Sequence, residues 1–351
     1  MKPLSLAVDA RVVAQDTRGI GRYERAILRR LAGRPDVQLT LLLPELLPFL
    51  RKRALADALE SPDFRLARRA DARRDDLIWH PANGTFFTPV VPSVVTMHDA
   101  VPFRFPPEDA RARASAQEPF LLSARTATAF ITPSEFGKRE IVDVFDIDPE
   151  RVHVIYHGVE PTFTPGPADA LPAAVAPPYI LFVGDPLGER RKNFSILYDA
   201  HRAAWPDADG PAIVVAGSRN PHLERVVYAG EVGDDLTTRE NVVLRALYRG
   251  ALALAVPSYH ETFGMPLIEA MACGTPVVAS DASCLPEIGA DAALYAQPDD
   301  PREWAAALRQ VADDESLRRR LSVAGIERAR RFTWERSVDE HLALFSRLVR
   351  A

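Results

Sequence analysis

The sequence lacks the features that define several classes of protein. It has two cysteines in 351 residues, Cys273 and Cys284, which are too few for a disulfide scaffold and stand at a spacing that metal sites do not use. No stretch approaches the roughly 18 consecutive apolar residues of a membrane-spanning helix, and Met1-Lys2-Pro3 leads directly into a strand-like run without a signal-peptide core. We therefore expect a cytoplasmic protein in which both cysteines serve as small apolar residues.

Charge of neither sign is in large excess. The chain carries 43 basic and 48 acidic residues, a formal net charge of -5 at pH 7, which gives no whole-chain footprint for nucleic acid. Lysine is scarce, since it supplies only four of the 43 basic residues: Lys2, Lys52, Lys138 and Lys192. Because lysine is rare in this chain, a lysine beside an arginine indicates a position that requires a compact ammonium group.

The length and the 47% hydrophobic content predict a folded chain of two domains. Short apolar runs alternate with helical patterns in both halves, which predicts two doubly wound parallel sheets. The runs are 4–9, 37–43, 77–79, 94–97 and 129–132, then 179–183, 212–216, 226–228, 251–256 and 275–279. We expect two Rossmann-like domains, residues 1–165 and 166–330, facing each other across a cleft that holds the active site. Residues 331–351 are predicted to form a C-terminal helix that packs back towards the first domain.

Two first-domain motifs stand at predicted strand ends. Gly19 and Gly21 follow the first strand and open a helix, where glycines let backbone N–H groups approach a phosphate; a pair that only starts a helix is the alternative. Glu24 replaces the third glycine of a dinucleotide fingerprint, which argues against an NAD-dependent oxidoreductase. His98 and Asp99 directly follow the run 94–97, so His98 either contacts a ligand or is structural.

A basic pair marks the second domain. Arg191 and Lys192 stand at a helix start after the run 179–183. Arg supplies a planar fork and Lys a compact charge, so the pair suits a diphosphate; an exposed basic pair without a ligand is the alternative.

Two carboxylates, Glu261 and Glu269, lie eight positions apart around a turn that leads into an apolar helix. Carboxylates accept hydrogen bonds from vicinal hydroxyls, so this spacing suits a sugar at one end and a ribose at the other. The backbone N–H groups of the turn would face the phosphates between them. The turn contains Phe263, Gly264 and Met265.

These residues resemble the retaining GT-B-fold glycosyltransferases of the large family 4 type, which includes bacterial mannosyltransferases. The resemblance covers nearly the whole chain and rests on residues 19–23, 98–102, 133–137, 154–159, 191–193, 261–269 and 280–287. Many members carry Arg directly after the glycine that ends the first strand of the second domain. Asp185 follows Gly184 here, and Arg191 is the candidate substitute for that cation.

The resemblance implies an α/β fold of the GT-B type and metal-independent transfer of a hexose from a nucleotide diphosphate sugar to a hydroxyl acceptor. The expected donor is GDP-mannose, with UDP-glucose and dTDP-rhamnose as alternatives. The acceptor would be a saccharide or a lipid-linked saccharide in polysaccharide biosynthesis. His98 and Glu261 would act at the reacting sugar and Glu269 would bind ribose. The remaining donor-binding residues would be Gly19, Gly21, Arg191, Lys192, Phe263, Gly264 and Met265.

No metal site or further cofactor is expected. Asp146 and Asp148 have the spacing of a metal-binding pair, but Asp148-Pro149-Glu150 is better explained as the cap and first turn of a short helix.

Two other functions share such an architecture. A non-hydrolysing nucleotide-sugar epimerase would convert the donor without an acceptor, and a non-catalytic sugar-nucleotide-binding protein would neither transfer nor hydrolyse it.

A basic segment of the first domain is compatible with peripheral contact between the protein and the inner face of the membrane. It concentrates eight cations in 24 positions, and a solvated helix surface is the alternative explanation. The cations are Arg51, Lys52, Arg53, Arg65, Arg68, Arg69, Arg73 and Arg74.

Overall fold

The computed structural model describes residues 2–13, 19–43, 52–169, 171–232 and 239–350, without the side chains of 69–71 and 239–241. The chain divides into two compact units. The first unit comprises Met1–Gly158 and Trp334–Ala351, and the second comprises Val159–Thr333.

The first unit is built on a parallel sheet in the order β3-β2-β1-β4-β5-β6-β7. Its strands are β1 (Leu4–Asp9), β2 (Val37–Leu43), β3 (Arg65–Arg68), β4 (Leu77–His80), β5 (Ser93–Thr96), β6 (Ala129–Thr132) and β7 (Val152–Val154). Its helices up to this point of the chain are α1 (Gly19–Leu31), α2 (Lys52–Leu59), α3 (Val101–Arg104), α4 (Ala110–Thr126) and α5 (Glu135–Phe145). The central strands are apolar and buried on both faces, as the predicted parallel sheet requires.

The second unit repeats this architecture with a parallel sheet in the order β10-β9-β8-β11-β12-β13. Its strands are β8 (Tyr179–Val183), β9 (Ala212–Ala216), β10 (Val226–Gly230), β11 (Ala253–Val256), β12 (Val277–Ser280) and β13 (Leu294–Ala296). Its helices are α6 (Phe194–Ala204), α7 (Arg239–Gly250), α8 (Met265–Ala272), α9 (Leu285–Gly289), α10 (Pro301–Asp313) and α11 (Glu315–Ala329). Trp304 of α10 is fully buried beside Phe182 and Phe194 in the core of this unit.

The chain enters the second unit earlier than the Pro-rich composition suggests. The N–H of Val159 donates to the carbonyl of Phe332 at 3.1 Å, and Val159 pairs with Thr333 in an isolated bridge. Residues 159–165 therefore belong to the second unit, whereas the sequence pattern predicts a first domain that extends to residue 165.

The last helix, α12 (Trp334–Arg350), is part of the first unit. A chain of hydrogen bonds ties it to the sheet through Tyr23 of α1. Nδ1 of His341 donates to the carbonyl of Ser337 at 2.6 Å, so its Nε2 accepts from the hydroxyl of Tyr23 at 2.7 Å. The Tyr23 oxygen lies 3.1 Å from Oγ1 of Thr96, which accepts from Nε1 of Trp79 at 2.9 Å. This network fixes the neutral tautomer of His341.

We expect this network to weaken in acid. Burial, against the hydrogen bond to Ser337 and with a smaller contribution from the neighbouring His98, lowers the pKa of His341 to about 4. Because the folded-state pKa is depressed, the neutral histidine stabilises the fold above its ordinary pKa of about 6.5, and this contribution is lost as the pH falls towards 4. The free energy of unfolding should fall by a few kcal/mol over that range. Denaturant titrations of wild type and His341→Gln test this: equal acid slopes in the two proteins would contradict it.

Both cysteines are free and buried, as expected, and burial raises the pKa of the Cys273 thiol to about 12. Asp148 caps the short helical turn Pro149–Arg151 by accepting from the N–H of Glu150 at 2.9 Å. This geometry supports the interpretation of Asp148 as a cap.

Candidate active site

In the second unit, an ion pair joins the predicted basic pair to the first predicted carboxylate. The loop after β8 forms a helical turn, Arg190–Lys192, and Nζ of Lys192 lies 2.6 Å from Oε1 of Glu261. Glu261 follows β11, so the two side chains come from the carboxyl ends of neighbouring strands. Both are nearly buried, with 12% and 10% of the side chain exposed. The structure therefore brings together residues that are 69 positions apart in the chain.

The two oxygens of Glu261 have different surroundings. Oε1 accepts from Nζ of Lys192 and also from the hydroxyl of Ser258, at 2.9 Å. Oε2 lies farther, at 3.5 Å, from Nη1 of Arg191. Oε2 is thus the oxygen with more remaining capacity to accept a hydrogen bond from a ligand hydroxyl.

The cations keep Glu261 ionised despite its burial. Burial acts to raise the pKa of Glu261, but Lys192 and then Arg191 outweigh it and, with the Ser258 hydroxyl, bring the pKa to about 2. The carboxylate is therefore charged at neutral pH, and the cations are already gathered before any phosphate binds.

Arg191 is held in place by several contacts. Its Nη2 lies 2.8 Å from Oε2 of Glu189, its Nη1 donates to the carbonyl of His260 at 3.3 Å, and its own carbonyl accepts from the N–H of Tyr259 at 2.8 Å. Its side chain is 25% exposed. The guanidinium is therefore oriented beside Lys192 and reachable from solvent, as a second phosphate cation requires.

The predicted turn starts α8. Gly264 is the N-cap residue at φ +76°, a left-handed conformation that favours glycine, and a Cβ there would lie 3.0 Å from Cδ2 of Leu285. Met265 is the first residue of the helix. Phe263 is 3% exposed and packs edge to face on Phe332 at 5.6 Å, so its side chain contributes to the core of the unit.

Glu269 lies inside α8 and is fully buried. Its Oε2 accepts a hydrogen bond from the hydroxyl of Tyr248 at 2.9 Å. Its predicted role towards ribose stays a prediction.

The first-unit candidates lie at the expected elements. Met97 separates His98 from the end of β5. His98 is 5% exposed, and its Nε2 donates to the carbonyl of Pro81 at 2.7 Å. This contact leaves Nδ1 as the acceptor nitrogen of the neutral ring. Gly19 and Gly21 lie in the first turn of α1, and a Cβ at Gly19 would meet no atom within 4 Å.

Sequence reasoning missed three side chains that support these candidates. Ser258 donates to Glu261, and Ser283 accepts from the N–H of Glu261 at 3.1 Å. Asn83 accepts from the N–H of His98 at 2.6 Å. Ser258 stands two positions beyond β11, and that nearness to a strand end was the one signal available for it.

Family models match both units. The model described as "Glycosyltransferase Family 4" matches residues 8–163, and the one described as "Glycosyl transferases group 1" matches residues 177–314. The chain is a glycosyltransferase of the family 4 type.

The GT-B fold predicted from the sequence is confirmed by solved glycosyltransferase structures. A sucrose-phosphate synthase of Thermosynechococcus elongatus aligns over 99% of both chains with a TM-score of 0.66 at 19% identity. HepE of Anabaena, in complex with UDP and glucose, aligns over 98% of this chain and 99% of that one with a TM-score of 0.69 at 15% identity.

Curated relatives of this glycosyltransferase include two groups. The O-antigen chain mannosyltransferase B of Escherichia coli is 29% identical in an alignment that covers 94% of this chain and 96% of the relative. The D-inositol 3-phosphate glycosyltransferase of Mycolicibacterium smegmatis is 35% identical over 242 residues, 63% of this chain and 53% of the relative. The chain thus matches the mannosyltransferase over nearly its full length and about half of the second relative.

The described part of this glycosyltransferase holds neither a membrane-spanning helix nor a cluster of metal-binding side chains. No helix there combines the length and apolar character needed to cross a bilayer. Within the same residues, no three side chains of His, Cys, Asp or Glu are grouped as a metal site would need. Metal independence stays a prediction.

Proposed function

We propose that this glycosyltransferase is a retaining hexosyltransferase that moves mannose from GDP-mannose to a hydroxyl of a saccharide or lipid-linked saccharide acceptor. The observation that carries the proposal is the cluster of Lys192, Arg191 and ionised Glu261 at the carboxyl ends of β8 and β11. Such a cluster offers cations to a diphosphate and a carboxylate to a sugar hydroxyl. The choice of mannose is supported by the relatives named as O-antigen chain mannosyltransferases.

The proposed chemistry needs no protein nucleophile. The bond between the sugar C1 and the diphosphate oxygen breaks, the acceptor oxygen bonds to C1 on the same face, and the departing phosphate takes the acceptor's proton. Lys192 and Arg191 stabilise the negative charge that develops on the leaving diphosphate, which is the task a divalent cation performs in other transferases. Oε2 of Glu261 accepts from a hydroxyl of the donor sugar and Glu269 binds ribose, and His98 of the first unit stays a predicted catalytic residue.

A panel of nucleotide sugars tests the donor. GDP-mannose, UDP-glucose and dTDP-rhamnose are each added at equal concentration, and the thermal midpoint is recorded. A ligand at 100 times its dissociation constant adds about 2.7 kcal/mol to the stability of the protein. We expect GDP-mannose to give the largest shift, and a larger shift with another sugar would replace it as the donor.

Product analysis tests the reaction. With acceptor, proton NMR of the product should show the anomeric configuration of the donor, and EDTA should leave the rate unchanged. Inversion would refute the retaining mechanism, and loss of activity in EDTA would refute metal independence. Conversion of the donor alone into an epimer would instead identify an epimerase, and absence of transfer and hydrolysis with retained binding would identify a binding protein.

We further propose that the basic segment of the first unit contacts an anionic membrane surface. The structure divides this segment into α2, the edge strand β3 and a helical turn, Arg69–Arg74, so a single helix surface does not account for it. Arg51 lies outside the described residues. Five of its arginines are exposed: Arg53, Arg65, Arg68, Arg73 and Arg74.

Flotation with liposomes measures this contact. Each cation near an anionic surface contributes about 1 kcal/mol, so binding is expected at low salt and should be reduced when Arg68, Arg69, Arg73 and Arg74 are replaced by Ser. Absent binding, or binding that the replacements leave unchanged, would favour a soluble acceptor.

A further inference from the structure

The strand order of the first unit contains a reversal of winding at β1. From β1 the chain runs outwards to β2 and β3, and it then returns to the other side of β1 as β4. The direction of winding therefore reverses between β1 and β4. In doubly wound sheets, ligands bind outside the carboxyl ends of the strands at such a reversal.

Two ionisable side chains end these strands. Asp9 closes β1 and His80 closes β4, and each side chain is 1% exposed. Oδ2 of Asp9 lies 3.5 Å from Nδ1 of His80. Because Thr85 donates its hydroxyl proton to the carbonyl of Phe87, its oxygen faces Nε2 of His80, at 3.4 Å, as an acceptor. Nδ1 of His80 has no hydrogen-bond partner in the part of the chain that the structure describes.

Above this pair, an arginine and an aromatic ring form a platform at the surface. Nε of Arg11 donates to Oδ1 of Asp9 at 2.9 Å, and its guanidinium carbon lies 3.4 Å from the centre of the Phe86 ring. One face of that ring is therefore covered, yet Phe86 is still 50% exposed. The buried carboxylate fixes the guanidinium, and the guanidinium fixes the ring, so the platform is ordered before a ligand arrives.

A half-exposed phenyl ring beside a guanidinium matches the chemistry of a saccharide. The C–H face of a sugar ring packs on an aromatic ring, and its hydroxyls accept hydrogen bonds from a guanidinium. An anionic ligand fits less well, because the Asp9 carboxylate already compensates the charge of Arg11.

We propose that Phe86 and Arg11 form the saccharide-acceptor platform of the first unit, held by Asp9. This inference rests on the proposed transferase function, for which it names the acceptor as a sugar ring seated at the carboxyl ends of β1 and β4. Phe86 stacks on the sugar and Arg11 hydrogen-bonds it, whereas Asp9 is a positioning residue for Arg11.

Saturation-transfer NMR with simple saccharides tests the platform without knowledge of the full acceptor. The probes are the methyl glycosides of mannose, glucose, galactose and N-acetylglucosamine, each with and without GDP. At least one probe should bind wild type, and Phe86→Ala should raise its dissociation constant at least about fivefold. Phe86→Trp should retain binding, and Arg11→Ala should weaken it.

Phe105→Ala is the matched control, because Phe105 is another first-unit phenylalanine with 42% exposure. It should leave saccharide binding unchanged. Equal loss in Phe86→Ala and Phe105→Ala, or absence of any saccharide signal that depends on Phe86, would overturn the proposal. GDP binding is recorded on the same samples and should be the same in all variants. Saccharide binding that depends on Phe86, in a protein that transfers no sugar, would refute the proposed function and leave the platform standing.

Discussion

Replacing Lys192 by alanine should lower kcat/KM for the donor by one to two decades. A charge-assisted hydrogen bond to phosphate contributes roughly 1.5 to 3 kcal/mol, and the alanine variant loses it. The variant also removes the shortest ion-pair contact of Glu261, which is a buried residue. Steady-state kinetics and calorimetry with the nucleotide sugar measure the effect. Lys192→Arg should recover only part of the rate, because a planar fork does not replace a compact ammonium at a 2.6 Å contact.

The pH profile separates this role from a loss of structure. The pKa of Glu261 is about 2 in the wild type, and Lys192 is the strongest influence that lowers it. Without Lys192 the pKa of Glu261 should rise towards its ordinary value near 4.5, so the acid limb of kcat/KM should move to higher pH. Lys2→Ala is the control, since the Lys2 side chain is 81% exposed and lies in the other unit, outside the basic segment. Unchanged donor binding and rate in Lys192→Ala would remove Lys192 from the site.

Glu261→Gln should reduce transfer about 100-fold while nucleotide binding is spared. The amide keeps the shape of the side chain, but it removes the charge that faces Lys192 and Arg191, and it weakens the acceptor offered to the donor sugar. Because the nucleotide lacks that sugar, its affinity should change little. Calorimetry with GDP and with GDP-mannose, together with transfer assays, distinguishes these effects.

Glu269→Gln is the matched variant and should behave differently. Ribose is common to nucleotide and nucleotide sugar, so this change should weaken both. The hydrogen bond from Tyr248 can be retained by the amide oxygen, which limits any loss of stability. Equal weakening of free nucleotide by the two substitutions would show that the assigned roles are wrong.

The sequence predicted most of the fold because the central strands are continuous apolar runs. The bounds of β1, β2, β6, β8 and β9 agree with the predicted runs. Three strands were not predicted, for two physical reasons. β7 and β13 have only three residues each, and β3 reads Arg-Leu-Ala-Arg at the edge of the sheet. Strands this short, or with charged ends, carry no period that distinguishes them from loops.

The candidate site was predictable only in part. Arg191, Lys192 and Glu261 stand at recognisable positions after strands, and the structure brings them together. The hydrogen bond from Ser258 to Glu261 and the one from His98 to Asn83 depend on side-chain directions that no spacing encodes. The platform of Phe86 and Arg11 joins residues 75 positions apart, and only the order of strands places them side by side.

The order of the two units along the chain affects how the protein folds during its synthesis. The ribosome makes residues 1–158 first, then the whole second unit, and only afterwards α12, whose His341 accepts from Tyr23. Domains generally fold as units while the chain grows. The second unit can therefore fold on the ribosome while the first still lacks its final helix. A premature stop codon after residue 333 would then damage the unit that was translated first and leave the later one intact.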